Sequence, residues 1–62
     1  MADLLAALPV PLADQIAEVE HELVLRRRVY PRWIAAGKLT ERAAEQKLAR
    51  LEAVLATLRG LR

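Results

Sequence analysis

The segment AAGKLTER, residues 35 to 42, most constrains the fold because it stops one helical pattern and starts another within a few residues. Gly37 is the residue type that best adopts the left-handed conformation found just after a helix. Thr40 is a good N-cap, and Glu41 follows it in the first turn, where the helix dipole favours an acid. The segment therefore predicts a short turn between two helices, which makes them antiparallel neighbours.

The pattern before this turn predicts a long amphipathic helix over residues 12 to 36. When successive positions are rotated by 100°, one stripe collects apolar residues, with Trp33 at its border. The members of the stripe are Leu12, Ile16, Val19, Leu23, Tyr30 and Ile34. We expect this stripe to face the core, with Tyr30 and Trp33 as packed aromatic side chains.

Pro31 breaks the hydrogen-bond pattern of this helix, because proline lacks the N–H group that would bond to the carbonyl of Arg27. Either the helix kinks near Pro31 and continues, or it stops near Val29 and Pro31 begins a new turn. The apolar phase continues beyond Pro31. This continuity favours a kinked but unbroken helix.

After the turn, the pattern predicts a second helix over residues 41 to 59. Its apolar residues alternate four and three positions apart, which is coiled-coil spacing. They are Ala44, Leu48, Leu51, Leu55 and Leu58. At the other end of the chain, Pro9 and Pro11 mark residues 1 to 11 as an apolar N-terminal arm. The sequence thus predicts an all-α fold, an antiparallel helical hairpin with a short N-terminal arm, in a single domain of residues 1 to 62.

A chain of 62 residues needs support beyond its own core, since a core of this size contributes only about 3–5 kcal/mol. The sequence has no Cys for disulfides. Residues 1 to 22 carry five acidic residues and no Lys or Arg, whereas residues 23 to 38 carry five basic residues and no acid. This split suits the dipole of a single helix, and it also suits two antiparallel copies of the first helix. We expect a homodimer that forms a four-helix bundle.

Catalytic and ligand-binding chemistry has few candidate residues. The sequence contains no Cys and no Ser, its two Gly residues are isolated, and its single His, His21, lies between two acids. A His in such a position is typically a solvated surface residue. We therefore expect no enzymatic activity, no cofactor and no metal site. The absence of a long apolar run and of a basic N-terminal segment predicts a cytoplasmic protein with no membrane partner.

Two kinds of partner remain as alternatives. A protein partner would contact apolar residues that lie off the core stripe, together with the arginines beside them. These candidates are Leu25, Arg28, Val29 and Arg32. For nucleic acid, the candidates lie in the basic segment of residues 26 to 38: Arg26, Arg27, Arg28, Arg32 and Lys38. The second helix carries acids in its first turns, and these would face the phosphates of DNA if this helix bound in a groove, which counts against DNA recognition by this helix. We expect protein binding and keep nucleic-acid binding as the alternative.

The segment ELVLRRRVYPRWIAAGKLTERAAEQKLARLEAVLATL, residues 22 to 58, resembles small uncharacterised helical proteins encoded by phages and prophages of proteobacteria. The distinctive part of the pattern is VYPRW followed by GKLT. The resemblance does not extend to the N-terminal arm. The resemblance implies a phage-type accessory protein in the host-cell cytoplasm that binds and modulates a host or phage protein, or that acts near replication and gene regulation. It implies no catalytic residues.

Overall fold

The computed structural model describes residues 7–62, which contain two α-helices, α1 over Leu12–Ala35 and α2 over Glu41–Gly60. The two helices pack against each other in opposite directions, and no strand occurs in this part of the chain. The predicted all-α hairpin is therefore confirmed for the described residues. Observed and predicted helix ends differ by one residue, at the C-terminus of each helix. The first six residues of the expected arm, with Leu4 and Leu5, lie outside the described residues.

The start of α1 is set by an extended proline and not by a side-chain cap. Pro11 has φ −54° and ψ 143°, and its carbonyl accepts the backbone N–H groups of Asp14 at 3.0 Å and Gln15 at 3.1 Å. Gln15 Nε2 also donates to the carbonyl of Val10 at 2.9 Å. Asp14 lies in the first turn, where the helix dipole stabilises its negative charge. The prolines of the arm therefore direct the chain into α1.

Pro31 lies inside α1, which runs through it without interruption to Ala35. Of the two alternatives, the unbroken helix is therefore the observed one. Pro31 is exposed, so water has access to the region where its missing N–H leaves the carbonyl of Arg27 without a helical partner. Because the helix does not restart, residues after Pro31 keep the same helical phase as those before it.

The turn between the helices has the hydrogen bonds of a Schellman motif. The N–H of Lys38 donates to the carbonyl of Trp33 at 2.9 Å, and the N–H of Gly37 donates to that of Ile34 at 3.0 Å. Gly37 has φ 74°, as expected for the left-handed residue of this motif. Thr40 Oγ1 accepts the N–H of Ala43 at 3.1 Å and caps α2. Both the predicted glycine and the predicted N-cap are confirmed.

The core is a single apolar seam between the two helices. Its buried centre is Ile16, Leu23 and Leu55, with Leu12, Val19, Leu48, Leu51 and Leu58 packed partly buried around it. Tyr30 and Ala44 are buried nearer the turn, where they are 4 % and 5 % exposed. The apolar stripe predicted for each helix therefore faces the other helix. Trp33 is the exception, since it is 46 % exposed and only borders the seam.

The hairpin is thin in two of its three dimensions. Its extents are 46 × 16 × 14 Å, and a helix with its side chains is about 10–12 Å across. Even Leu23, in the middle of the seam, keeps 3 % of its surface exposed. Each helix thus buries only one stripe of the other helix, and most of the surface of both helices stays accessible.

We predict different effects of the same substitution at the two glycines. Gly37→Ala should lower the free energy of unfolding by about 1–2 kcal/mol, because alanine is strained at φ 74°. Gly60→Ala should change it little or raise it by up to about 1 kcal/mol, because Gly60 is helical. A Cβ at either position meets nothing within 4 Å, so steric overlap does not enter the comparison. Urea unfolding followed by circular dichroism, at one protein concentration, measures both; equal losses would contradict the role of Gly37.

Candidate interaction surface

One flank of the hairpin is held by two ion pairs between the helices. Arg27 of α1 contacts Glu52 of α2 at 2.5 Å, and Arg59 of α2 contacts Glu20 of α1 at 2.9 Å. All four side chains are about half exposed. Exposed pairs of this kind contribute at most about 1 kcal/mol each. We call this side the paired flank.

The paired flank was not predicted from the sequence, although the sequence contains a signal for it. Glu20 precedes Arg27 by seven residues, and Glu52 precedes Arg59 by seven residues. A separation of seven residues keeps both members of each set on one side of a helix. Reversing the direction of the second helix then brings each acid opposite a base.

Arg26 is held on the opposite flank by residues of its own helix. Its Nε donates to Glu22 Oε1 at 2.7 Å, four residues earlier in α1, and its Nη1 donates to the hydroxyl of Tyr30 at 3.2 Å. The hydrogen bond to Glu22, and next the one to Tyr30, raise the pKa of Arg26 above its ordinary value. The predicted burial of Tyr30 is confirmed, with its hydroxyl as the acceptor for Arg26.

The five candidate nucleic-acid-binding residues do not form one patch. Arg26 and Arg27 are ion-paired on opposite flanks of α1. Arg28, Arg32 and Lys38 are exposed and make no ion pair with any residue between 7 and 62. Arg28 and Arg32 share the outer side of α1, while Lys38 lies in the turn beyond it. The basic segment is therefore divided among four places: the two flanks of the hairpin, the outer side of α1 and the turn.

The four candidate protein-binding residues do share one face. Leu25, Arg28, Val29 and Arg32 are spaced i, i+3, i+4 and i+7, so they are neighbours on α1. Leu25 and Val29 are partly buried, although they lie off the seam with α2, and the two arginines are exposed. We call these four residues the outer patch. It combines an apolar centre with two cations that make no ion pair within residues 7–62.

An apolar groove adjoins the outer patch on the flank that lacks the ion pairs between helices. The groove has a volume of about 450 Å³ and is lined by Glu22, Leu25, Arg26, Val29, Tyr30, Trp33, Leu39 and Lys47. The rings of Tyr30 and Trp33 lie 5.7 Å apart with a tilt of 42° between their planes. Trp33 is the only Trp of the chain, so its fluorescence reports on this groove.

A second apolar groove lies at the open end of the hairpin. It has a volume of about 660 Å³ and is lined by Pro9, Val10, Asp14, Gln15, Glu18, Val19, Val54 and Leu58. Val10 and Val54 are each 46 % exposed. This groove joins the end of the arm to the seam. Exposed apolar surface is thus present at both ends of the same flank.

Groups typical of catalytic or metal sites are sparse in residues 7–62. His21 is exposed, as predicted. No group of three or more His, Cys, Asp or Glu is arranged to hold a metal ion within that range. Neither α1 nor α2 is long and apolar enough to cross a membrane.

Comparisons with protein-family models, curated proteins and solved structures found no match to this chain. The resemblance to phage-encoded proteins therefore remains a prediction from the VYPRW and GKLT pattern.

We predict that the paired flank contributes little stability. Glu52→Gln should lower the free energy of unfolding by less than about 1 kcal/mol, because both partners are half exposed, and high salt should shrink the loss. Leu55→Ala, from the seam and 7 % exposed, should cost about 2 kcal/mol or more. Urea unfolding at low and high salt measures both. A loss from Glu52→Gln as large as that from Leu55→Ala would show that the ion pair holds the hairpin together.

Proposed function

We propose that this protein is a non-enzymatic interaction protein, of the accessory type that phages encode, which works as a homodimer and binds another protein through a helical surface. The working surface is the outer patch of Leu25, Arg28, Val29 and Arg32, continued by the groove beside Trp33. The phage-type assignment rests only on the sequence pattern. The interaction role rests on the surface of the hairpin.

The observation that carries the interaction role is the imbalance between the seam and the exposed apolar surface. Only five apolar residues are buried among those described: Ile16, Leu23, Tyr30, Ala44 and Leu55. In the same described part of the chain, five large apolar residues are at least 45 % exposed: Val10, Val24, Trp33, Val54 and Leu61. A core of this size leaves a small domain marginal unless a partner covers more apolar surface. Binding a protein supplies that cover and stabilises the hairpin.

The outer patch has the chemistry of a protein interface. Apolar side chains at i and i+4 provide area to bury, and arginines at the border provide directed hydrogen bonds to carboxylates or carbonyls. Trp and Arg are also the residue types that most often dominate binding energy at interfaces. The groove next to the patch extends the area that a helix or loop of a partner would cover.

Nucleic-acid binding is the second candidate, and only Arg28 and Arg32 favour it. Both are unpaired within residues 7–62 and lie four residues apart on one side of α1. Two phosphate contacts give weak binding, which falls only about tenfold between 50 mM and 200 mM salt. The ion pairs of Arg26 and Arg27 with acids of the same chain remove two of the five cations that this alternative needs.

Substituting the apolar centre of the outer patch should weaken self-association by at least about tenfold. In the double variant Leu25→Glu with Val29→Glu, formation of the dimer would bury two carboxylates and remove the water that solvates them, which costs free energy. Ala49→Glu with Ala53→Glu is the matched control, since it adds two glutamates at the same spacing on exposed positions of α2. Analytical ultracentrifugation over a concentration series measures the mass against the 6.9 kDa of one chain.

Helicity is recorded for each variant, because the loss of a partner also destabilises the hairpin. If Leu25→Glu with Val29→Glu keeps the same mass, helicity and association constant as the control, the outer patch is not the interface. A wild-type chain that stays at the mass of a monomer at tens of micromolar would overturn the homodimer.

The nucleic-acid alternative predicts a different result in a mobility-shift assay. A protein that binds nucleic acid through basic residues shifts generic duplex or single-stranded DNA at low salt, and the shift disappears as the salt concentration rises. The double substitution Arg28→Gln with Arg32→Gln would then abolish the shift. Under the proposed function we expect no shift at micromolar protein. A salt-dependent shift that disappears in that variant would favour nucleic acid over a protein partner.

A further inference from the structure

The outer side of α1 carries a second stripe with coiled-coil spacing. Its members are separated alternately by four and three residues: Asp14, Glu18, His21, Leu25, Arg28 and Arg32. Such spacing keeps side chains along one line of a helix and matches a second helix that packs beside it. The stripe faces away from α2, because the seam residues Ile16, Leu23 and Tyr30 lie on the other side of α1. We call it the outer stripe.

The charges of the outer stripe are ordered along the helix. Its first two residues are acids, its last two are arginines, and His21 and Leu25 lie between them. All of them are exposed except Leu25, which is partly buried. The four charged residues make no ion pair with one another or with other residues of the described chain. Their charges are therefore available to a partner.

This order is self-complementary about one point. Asp14 and Arg32 are each nine residues from Leu23, and Glu18 and Arg28 are each five residues from it. His21 and Leu25 are likewise two residues from it on either side. In an antiparallel pair of identical helices centred at Leu23, every acid of the stripe lies opposite an arginine. A parallel pair would instead place acid against acid and arginine against arginine.

We propose that two copies of this chain associate through the outer stripes of α1, antiparallel, about a two-fold axis that passes level with Leu23. Asp14 pairs with Arg32 of the partner subunit, and Glu18 pairs with Arg28 of the partner subunit. His21 packs over Leu25 of the partner subunit at the centre. The inference rests on the homodimer of the proposed function and specifies its geometry. It makes the second copy the protein that Leu25, Arg28 and Arg32 of the outer patch contact, and leaves the Trp33 side of the groove to any further partner.

This geometry arranges the four helices as a layer and not as a square bundle. The outer stripe and the seam lie on opposite sides of α1, so the two α1 helices meet at the centre and each α2 lies outside. A two-fold axis makes every contact occur twice, which is the usual form of a homodimer interface. The groove beside Trp33 shares Leu25 with this interface, whereas Tyr30, Trp33 and Leu39 line it on a different flank, away from the stripe.

Charge-reversal variants test the pairing directly. Variant A is Asp14→Arg with Glu18→Arg, and variant B is Arg28→Glu with Arg32→Glu. Each alone opposes like charges in the antiparallel pair, so its self-association should weaken by at least about tenfold. Mixed one to one, A and B present four cations to four anions and should form a heterodimer with at least the association constant of the wild-type pair. Ultracentrifugation of each variant and of the mixture, with one component labelled, measures this.

Combining all four reversals in one chain gives the decisive control. The combined variant has arginines at positions 14 and 18 and glutamates at positions 28 and 32, so its stripe is again self-complementary and its homodimer should return. Its charges also oppose the dipole of α1 at both ends. Recovery of the dimer therefore cannot come from a more stable helix. Arg42→Glu with Arg50→Glu, exposed on α2, should leave the dimer unchanged.

The outcomes separate this pairing from the homodimer in general. If the wild-type chain dimerises but A, B and their mixture all match it, another surface forms the dimer and the proposed pairing is wrong. If the wild-type chain is monomeric, both proposals of self-association fail. Raising the salt from about 0.05 M to 0.5 M should weaken the wild-type dimer, because screening reduces exposed charge pairs; a dimer indifferent to salt contradicts the pairing.

Discussion

The contact of Leu23 in α1 with the seam around Leu55 of α2 is the constraint on which the rest of the structure depends. Two helices have only one line of mutual contact, so the seam sets which side of each helix is inside. Every other property of the surface follows from that choice. The paired flank, the groove beside Trp33 and the outer stripe are the three remaining directions around α1. Because the seam is narrow, these directions hold most of the side chains that meet other molecules.

Much of the fold follows from the sequence because local rules act independently of distant contacts. Apolar spacing identified the seam residues of both helices, and the requirement for a left-handed residue identified Gly37. Thr40 was predicted as a cap from its position before the second pattern. Pro31 was ambiguous locally, because a proline is compatible with a kink or with a new start. Its surroundings, not its own chemistry, determine that α1 continues.

The candidate surface was less predictable, since it depends on which side chains from the other helix reach the same place. Arg27 reads in the sequence as part of a basic run, yet Glu52 contacts it from α2. Trp33 borders the apolar stripe, yet two helices are too few to cover it, and it stays 46 % exposed. The four residues of the outer patch lie on one face because i, i+3, i+4 and i+7 spacing does not depend on the partner helix.

The two ion pairs of the paired flank also influence the register in which α1 of one chain would pack against α2 of another. Leucines at coiled-coil spacing tolerate a slide of one heptad, because the next apolar residue takes the place of the last. Such a slide would set Arg27 against Arg59 in one direction and Glu20 against Glu52 in the other. Within one hairpin the short turn already forbids it. When two chains exchange helices no turn constrains them, and these surface charges then favour the native register over its neighbours.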